Sequence, residues 1–354
     1  MHAGIDWLKL FLLSNEYQRL FLNQLEHDQP NDVEDYLQKW LKGYHQAYKE
    51  SDLNWLIQWN DPPQQGFIPY ADLPESLRTI ADPPVLLFYQ GNPDLLYKSM
   101  IAVVGSRKPS HAGLENTKIF SHHLALSGLV ILSGLARGVD AAAHHMALDC
   151  DKPTVAIMGC GLNHNYPNRH RKLQAKIKNT GLLLSEFHPE QPVSRWQFPR
   201  RNRLISALSE GVLVVEAAIK SGSLVTARHA GDQGRQVFAI PGDTQNPMVA
   251  GCHHLIREGA QLVTCADEVL EAIFWTQQDL IKETQQTSET DSCTKQEKAL
   301  LDCLDRTPKN IDIILARSGY ELTLVLDVLF SLELKGMIIR SSDGYYKPNQ
   351  GDTC

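Results

Sequence analysis

Short turns rich in glycine and serine follow several apolar runs in the middle of the chain, and arginines accompany two of these turns. Glycine lets the backbone approach a ligand, serine supplies a hydroxyl donor, and arginine forms paired hydrogen bonds with phosphate oxygens. These residue types predict phosphate binding. The turn residues concerned are Gly105, Ser106, Arg107, Ser133, Gly134, Arg137, Gly161, Ser221, Gly222 and Ser223.

A second cluster, residues 195–203, holds four arginines and two aromatic residues in nine positions. Trp196 and Phe198 could stack on unpaired bases, each stack contributing roughly 1–3 kcal/mol. The arginines could hold consecutive phosphates, or one or two of them could instead pair with Glu186 or Glu210, with the aromatic rings as core anchors. The arginines predicted to bind are Arg200, Arg201 and Arg203.

The net charge of −7 argues against a polyanionic partner, but the charge is unevenly distributed. No acidic residue lies between Asp151 and Glu186. We expect this local excess of positive charge to outweigh the total and to favour a nucleic-acid partner. The basic residues of this window are Lys152, Arg169, Arg171, Lys172, Lys176 and Lys178.

The elements that must position these residues are short Val/Ile/Leu runs alternating with helical patterns of ten to fifteen residues. This alternation predicts an α/β fold with a Rossmann-like parallel sheet. In such a sheet the carboxyl ends of the strands share one edge, which is where ligands bind, so the turns should converge there. The predicted strands are 101–104, 129–132, 155–158, 182–184, 212–215 and 237–240.

The first of these turns does not fit a dinucleotide or nucleotide-triphosphate site. It reads Gly105-Ser106-Arg107-Lys108-Pro109 rather than Gly-x-Gly-x-x-Gly, no acidic residue follows the second strand, and the chain has no P-loop motif. We therefore expect no cofactor and a polymeric ligand. The arginines together with the aromatic rings favour single-stranded DNA.

Catalytic and metal-binding signals are weak. The carboxylates available at the expected edge are Asp140, which could cap a helix, Glu186 and Glu216, and no nucleophile and base can be paired. The seven cysteines form no Cys-x-x-Cys pair, and no histidine has a second histidine or a cysteine at i+4. We therefore predict a binding protein, not an enzyme, with no metal and no disulfide framework.

The flanking regions predict further domains. We expect a small helical domain at 1–80, the Rossmann-like domain at 81–280, a linker at 281–295 and a winged-helix domain at 296–354. The last rests on three helical patterns followed by a hairpin. The chain has neither an apolar run of membrane-spanning length nor a signal-peptide pattern, so we expect a cytoplasmic protein without membrane contact.

The middle of the chain carries, in order, the motifs IAVVGSR, SGLARGVDAAAH, MGCGLNHNYP, LLSEF, FPRRNRLISALSEGVLVVEAAIKSGSLVTARHA and GRQVFAIPG. With these motifs it closely resembles the DNA-processing protein A (DprA/Smf) family over about 195 residues, from Asp82 to roughly Leu270. The resemblance implies a cytoplasmic bacterial homodimer that protects incoming single-stranded DNA during natural transformation and loads the RecA recombinase onto it. It also implies DNA contacts by Arg107 and by Arg201-Asn202-Arg203.

The sequence departs from the family pattern at two places, and two other functions are also compatible with it. Residues 1–80 lack the Gly-x-Gly hairpin of many members, and Tyr166-Pro167-Asn168-Arg169-His170 carries a base where members often have an acid. Arg169 is therefore included among the predicted DNA contacts. The chief alternative is a phosphoribohydrolase-like enzyme, whose Pro-Gly-Gly-x-Gly-Thr loop is not matched here. The other is a protein-interaction scaffold.

Overall fold

The computed structural model describes residues 2–43, 48–61, 63–274, 295–305, 308–334, 338–341 and 344–346. The chain forms two compact units, Met1–Phe274 and Trp275–Cys354. No helix within the described ranges is long and apolar enough to span a membrane.

The first unit begins with helices that bury one apolar side each. Trp7, Phe21 and Leu37 lie in a core that continues into the sheet, where the Phe11 ring meets the Phe88 ring edge-on at 5.0 Å. The predicted helical region is therefore packed directly on one face of the α/β domain. Its helices are α1 His2–Leu12, α2 Asn15–Asp28, α3 Val33–Leu41 and α4 Glu50–Trp59.

The described strands form a nine-stranded sheet of order β1-β2-β6-β5-β4-β3-β7-β8-β9. β1 and β2 are antiparallel to their neighbours, and the pairings from β6 to β9 are parallel. Each of the six predicted strands is present. β1, β2 and β9 were not predicted, and β1 lies inside the range assigned to the helical domain. The bounds are β1 Gln65–Pro69, β2 Leu86–Gly91, β3 Met100–Val104, β4 Val130–Ser133, β5 Thr154–Ile157, β6 Leu182–Ser185, β7 Gly211–Val214, β8 Gln236–Ala239 and β9 Gln261–Leu262.

Helices cover both faces of the sheet, which is why its central strands are buried throughout. The chain leaves β3 in one direction through β4, β5 and β6, then returns to the other side of β3 with β7. This reversal makes the carboxyl ends of β3 and β7 the switch point at which open α/β sheets bind ligands. The helices are α5 Glu75–Arg78, α6 His111–Leu126, α7 Val139–Asp149, α8 Arg171–Thr180, α9 Gln197–Ala207, α10 Gly222–Asp232, α11 Ala250–Arg257 and α12, residues 266–274; short 3-10 turns are Tyr70–Asp72, Pro93–Tyr97 and Asn168–His170.

The second unit has its own core, in which Leu300, Ile314 and Leu329 are buried together. Three helices followed by a two-stranded antiparallel hairpin confirm the predicted winged helix. Residues 281–294 of the predicted linker, and Met337, Asp343 and Lys347 of the predicted hairpin, lie outside the described residues. The elements are α13 Lys295–Asp302, α14 Ile311–Ser318, α15 Leu322–Leu334, β10 Ile339–Ser341 and β11 Gly344–Tyr346.

Candidate functional site

The turn after β3 is held at both ends by Glu216, the second residue after β7. The Ser106 amide donates to the main-chain oxygen of Glu216 at 2.7 Å. The Ser110 amide donates to the Glu216 carboxylate at 3.0 Å, and the Ser110 hydroxyl donates to it as well. Arg107 lies between these anchors and is exposed. The loop therefore presents a guanidinium group from a fixed backbone.

Gly138 lets α7 begin directly beside this loop. Its φ is +80°, and a Cβ atom there would lie 2.2 Å from the Ser106 main-chain oxygen. Any other residue would meet both backbone strain and a steric clash. The next residue, Val139, donates its amide to Ser106 at 3.2 Å, so the start of α7 fixes the loop from a second side.

A shallow pocket opens beside the loop at the carboxyl ends of β4 and β5. The Arg107 guanidinium carbon lies 5.5 Å from the centroid of the Phe198 ring, and the Tyr166 ring lies 5.5 Å from the same ring. A cation over an aromatic face and two adjacent rings suit a nucleotide, with phosphate on the cation and base on a ring. We call this the Arg107 pocket; its lining is Arg107, Gly134, Leu135, Ala136, Arg137, Met158, Gly159, Tyr166, Pro167 and Phe198.

Arg201 supports the pocket from below. It is 4% exposed, and its guanidinium group donates to the main-chain oxygens of Gly134, at 2.9 Å, and Ile157. It thereby joins the ends of β4 and β5. Burial lowers the pKa of Arg201 to about 10, against the opposing effect of Asp140. A Cβ atom on Gly134 would lie 2.4 Å from the guanidinium, so this contact requires glycine.

Asp140 shapes the turn after β4. Its carboxylate accepts hydrogen bonds from the amides of Gly134, at 3.2 Å, and Ala136, at 3.3 Å. Burial raises its pKa despite the nearby charge of Arg201. Asp140 therefore stabilises the preceding turn, while the cap position of α7 is Gly138.

Arg200 and Arg203 share one acidic partner. Arg200 Nε lies 2.8 Å from the Glu186 carboxylate, and Arg203 Nη2 lies 2.5 Å from it. Asp82 adds longer contacts to both arginines and accepts from Arg19 of α2 at 3.1 Å. Although burial opposes this, the arginines hold the pKa of Asp82 below its usual range. The alternative considered from the sequence, in which one or two of the arginines pair with Glu186, is therefore present for Arg200 and Arg203.

A larger cavity, of about 430 Å³, lies between α2 and this network. Trp196 lines it and is 53% exposed, with its ring edge-on to Phe187 at 5.6 Å. Because Arg19 and Arg200 are paired with carboxylates here, the cavity wall offers less free positive charge than the Arg107 pocket.

The remaining predicted residues are dispersed. Ser133 is buried and donates to the Val103 main-chain oxygen at 2.7 Å, and the buried Gly161 packs against the backbone of Pro189. Asn202 donates to Gly222 at 3.4 Å. Ser221 caps α10 by accepting from the Ser223 amide. The structure thus brings Arg107, Gly134, Arg137 and Phe198 into one pocket, with Gly105 and Ser106 behind it and Arg169 beside it.

Sequence reasoning did not include Tyr166 among the site residues, nor Ser110 among their supports. Tyr166 lies five residues after Gly161, in the segment between the glycine-rich turn of β5 and α8, and this position is a signal that could have identified it. Ser110 is the N-cap of α6, and only the fold reveals that it also donates to Glu216. In the part of the chain that the structure describes, no three metal-ligating side chains lie close together.

The fold and the pocket define a Rossmann-like α/β protein with a basic, aromatic pocket at the carboxyl edge of its sheet. The family model for DNA recombination-mediator protein A matches residues 67–274, and the model for the DprA winged helix domain matches residues 283–344. Protein Smf of Escherichia coli is 41% identical over 307 residues, which cover 84% of this chain and 80% of Smf. The chain belongs to the DNA-processing protein A (DprA/Smf) family.

Two solved structures of this family share the fold. The DNA processing protein A of Streptococcus pneumoniae matches with a TM-score of 0.65 and 36% identity, over 77% of this chain and 97% of that chain. The DNA processing protein A of Helicobacter pylori, whose structure is described as showing a single-stranded DNA binding mode, matches with a TM-score of 0.56 and 30% identity. The match covers 60% of this chain and 97% of that chain.

Proposed function

We propose that this protein binds single-stranded DNA in the Arg107 pocket and acts as a DNA-handling factor, not as an enzyme. The observation that carries the proposal is Arg107 itself, an exposed cation on an anchored loop whose guanidinium group lies 5.5 Å from the Phe198 ring. A phosphate can bind the cation while its base stacks on an aromatic neighbour.

The surrounding charges favour a strand over a single nucleotide. Arg107, Lys108, Arg137 and Arg169 are exposed, and no carboxylate of the described residues lies within ion-pair distance of them. Four unpaired cations near one pocket suit several phosphates. Stacking on Phe198 or Tyr166 requires a base that is not already paired, which favours a single strand over a duplex.

The carboxylates at this edge support the non-enzymatic part of the proposal. Glu216 is 1% exposed and bound to Ser110, Glu186 is paired with two arginines, and Asp140 accepts two backbone amides. Each has a partner that explains its position, so none is left as a general base facing the pocket. This weakens the phosphoribohydrolase alternative.

Membership of the family supports a proposal about the cellular role. We propose that the protein acts in the bacterial cytoplasm, protects incoming single-stranded DNA during natural transformation and loads the RecA recombinase onto it. We also propose a homodimer formed through the α/β domain. The exposed side chains of Ile219 and of Leu262, on edge strand β9, provide apolar surface for such contacts. RecA filament formation on DNA coated with single-strand-binding protein tests the loading role.

Fluorescence anisotropy with a thirty-nucleotide strand, a duplex of equal length and a mononucleotide tests the binding. Arg107→Ala should weaken strand binding roughly tenfold or more, because a charge-assisted phosphate contact contributes about 1.5–3 kcal/mol. The matched control is Arg78→Ala, an exposed arginine on α5 outside the pocket. Light scattering on the same samples should give twice the chain mass of 39.8 kDa.

Unchanged strand affinity in a folded Arg107→Ala protein would refute the assignment of the pocket. Tight mononucleotide binding with release of free base or phosphate would refute the non-enzymatic proposal. A monomer that binds the strand fully would refute the need for a dimer.

A further inference from the structure

The exposed side of α8 carries an uncompensated row of positive charge beside the Arg107 pocket. Lys172 and Lys176 are exposed and one turn apart, and the first helical turn contains no acidic residue. No carboxylate within the described ranges lies at ion-pair distance from any of these cations. We call this surface the α8 strip; its members are Arg169, Arg171, Lys172, Lys176 and Lys178.

This arrangement is unfavourable for an isolated helix. Cations at the amino end of a helix oppose its dipole, and like charges at i and i+4 destabilise it by a few tenths of a kcal/mol. Arg171 and Lys172 lie at that amino end, and Lys172 and Lys176 form such a pair. An anionic partner would remove both penalties.

The α8 strip is continuous with the Arg107 pocket. Tyr166 and Pro167 line the pocket, and the short Asn168–His170 turn leads directly into α8. His170 fixes this junction because its Nδ1 lies 3.0 Å from the Leu135 main-chain oxygen, and Leu135 is itself a pocket residue. At 1.5 Å per residue, the ten residues of α8 extend the basic surface by about 15 Å.

The character of the strip favours nucleic acid over protein. The large exposed apolar side chains of the described residues include none on α8, whereas protein interfaces are centred on such side chains. A cleft of about 320 Å³ lies on the flank of α8 that carries Arg171 and Lys178, opposite the flank of Lys172 and Lys176, and is also lined by Gln174. Gln174 is 5% exposed, and its Oε1 has no hydrogen-bond partner among the described residues. An unpaired base could supply the missing donor.

We propose that the α8 strip holds the backbone of single-stranded DNA as it leaves the Arg107 pocket, which extends the contact to further phosphates. This inference rests on the proposed function, since it requires a strand in the pocket. Arg169, at the junction, continues the line of phosphate contacts from the pocket onto α8.

The double variant Lys172→Gln/Lys176→Gln tests the proposal in the full-length protein. Glutamine keeps a similar helix propensity at both exposed positions. Each phosphate contact to a single strand contributes about 0.7 to the slope of log K against log salt, so the slope for a thirty-nucleotide strand should fall by about 1.4. At 0.15 M salt, the double variant should therefore bind the thirty-nucleotide strand about tenfold more weakly than the parent protein does. A trinucleotide, which we expect to contact the Arg107 pocket and not Lys172 or Lys176, should bind to the double variant as tightly as to the parent protein.

The matched control is Lys42→Gln/Lys98→Gln, which removes the same charge from two exposed lysines outside the basic window, one directly after α3 and one before β3. An equal loss in this control, or an unchanged slope in the α8 double variant, would overturn the proposal. A ten-residue polyglutamate tests for an acidic protein partner. If the parent protein binds this peptide, the α8 double variant does not, and the salt slope for the DNA strand is unchanged, the strip binds an acidic protein instead. Arg107→Ala separates the two hypotheses: if it lowers both trinucleotide and long-strand affinity while the α8 variant changes nothing, only the extension fails.

Discussion

Replacing Glu216 by glutamine tests whether this residue supports the site or performs chemistry. Its side chain is 1% exposed, and α6 packs so closely on it that a Cβ atom on Gly113 would lie 2.4 Å from Glu216 Oε2. It accepts from the amide and the hydroxyl of Ser110, and the Ser110 oxygen in turn accepts from the Gly113 amide at 3.0 Å. Glu216 therefore connects the end of β7 to the start of α6 and to the Arg107 loop.

The magnitude follows from these contacts. Hydrogen bonds to a charged group contribute about 1.5–3 kcal/mol each, and leaving a buried donor unsatisfied costs about 1–3 kcal/mol. In Glu216→Gln one oxygen remains, and the new amide nitrogen cannot accept from Ser110. We expect a loss of about 2–4 kcal/mol in the free energy of unfolding. Strand affinity should fall several-fold in the folded variant, because the Arg107 loop loses one of its anchors.

Urea unfolding followed by tryptophan fluorescence measures the stability change, with Glu271→Gln on the exposed side of α12 as the control. In a double-mutant cycle, Ser110→Ala and Glu216→Gln should be strongly non-additive, since the two residues contact each other. A Glu216→Gln protein of unchanged stability would refute the structural role. Release of base or phosphate that requires Glu216 would also contradict the binding function.

Two further predictions concern buried groups. Arg201→Met should lower the free energy of unfolding by at least about 2 kcal/mol, because the main-chain oxygens of Gly134 and Ile157 lose a buried donor; an unchanged urea midpoint would contradict this. Burial lowers the pKa of His144 to about 3 from 6.5, so the fold binds fewer protons than the unfolded chain between these values. Stability should therefore fall as pH drops below 6.5, by about 1.4 kcal/mol at pH 5.5 from this group. His144→Asn should reduce the loss of unfolding free energy between neutral pH and pH 5.5 by that amount. An equal pH dependence of stability in the variant and the parent protein would contradict this prediction.

The positions of β3 to β8 along the chain were predictable because each is a short apolar run followed by a turn. Sequence reasoning did not anticipate β1, β2 and β9; of these, β1 contains Gly66 and ends at Pro69, so it lacks an uninterrupted apolar signal. It forms through backbone pairing with β2, in which Phe67 lies opposite Phe88. Pairing of this kind depends on a segment about twenty residues away and leaves little trace in local composition.

The site was predictable where the residue type and the end of a strand coincide, as at Arg107. It was not predictable where burial decides the role. Arg201 donates to atoms 44 and 67 residues away, and Arg203 pairs with Glu186, 17 residues away. The sequence alone does not distinguish these two buried arginines from an exposed arginine. Only the packing of α9 shows that their guanidinium groups have partners inside the protein.

The spacing within α9 explains how one arginine-rich segment can serve the ligand and the fold. Residues three apart lie on the same side of a helix. Phe198 and Arg201 therefore face the strand ends together, with the ring in the pocket and the cation beneath it. Arg200 and Arg203 form a neighbouring row that binds Glu186. Because these cations fix α9 against the sheet, Phe198 is held 5.5 Å from the Arg107 guanidinium carbon. Under the proposed function, the exposed arginines outside α9 then remain available for phosphate.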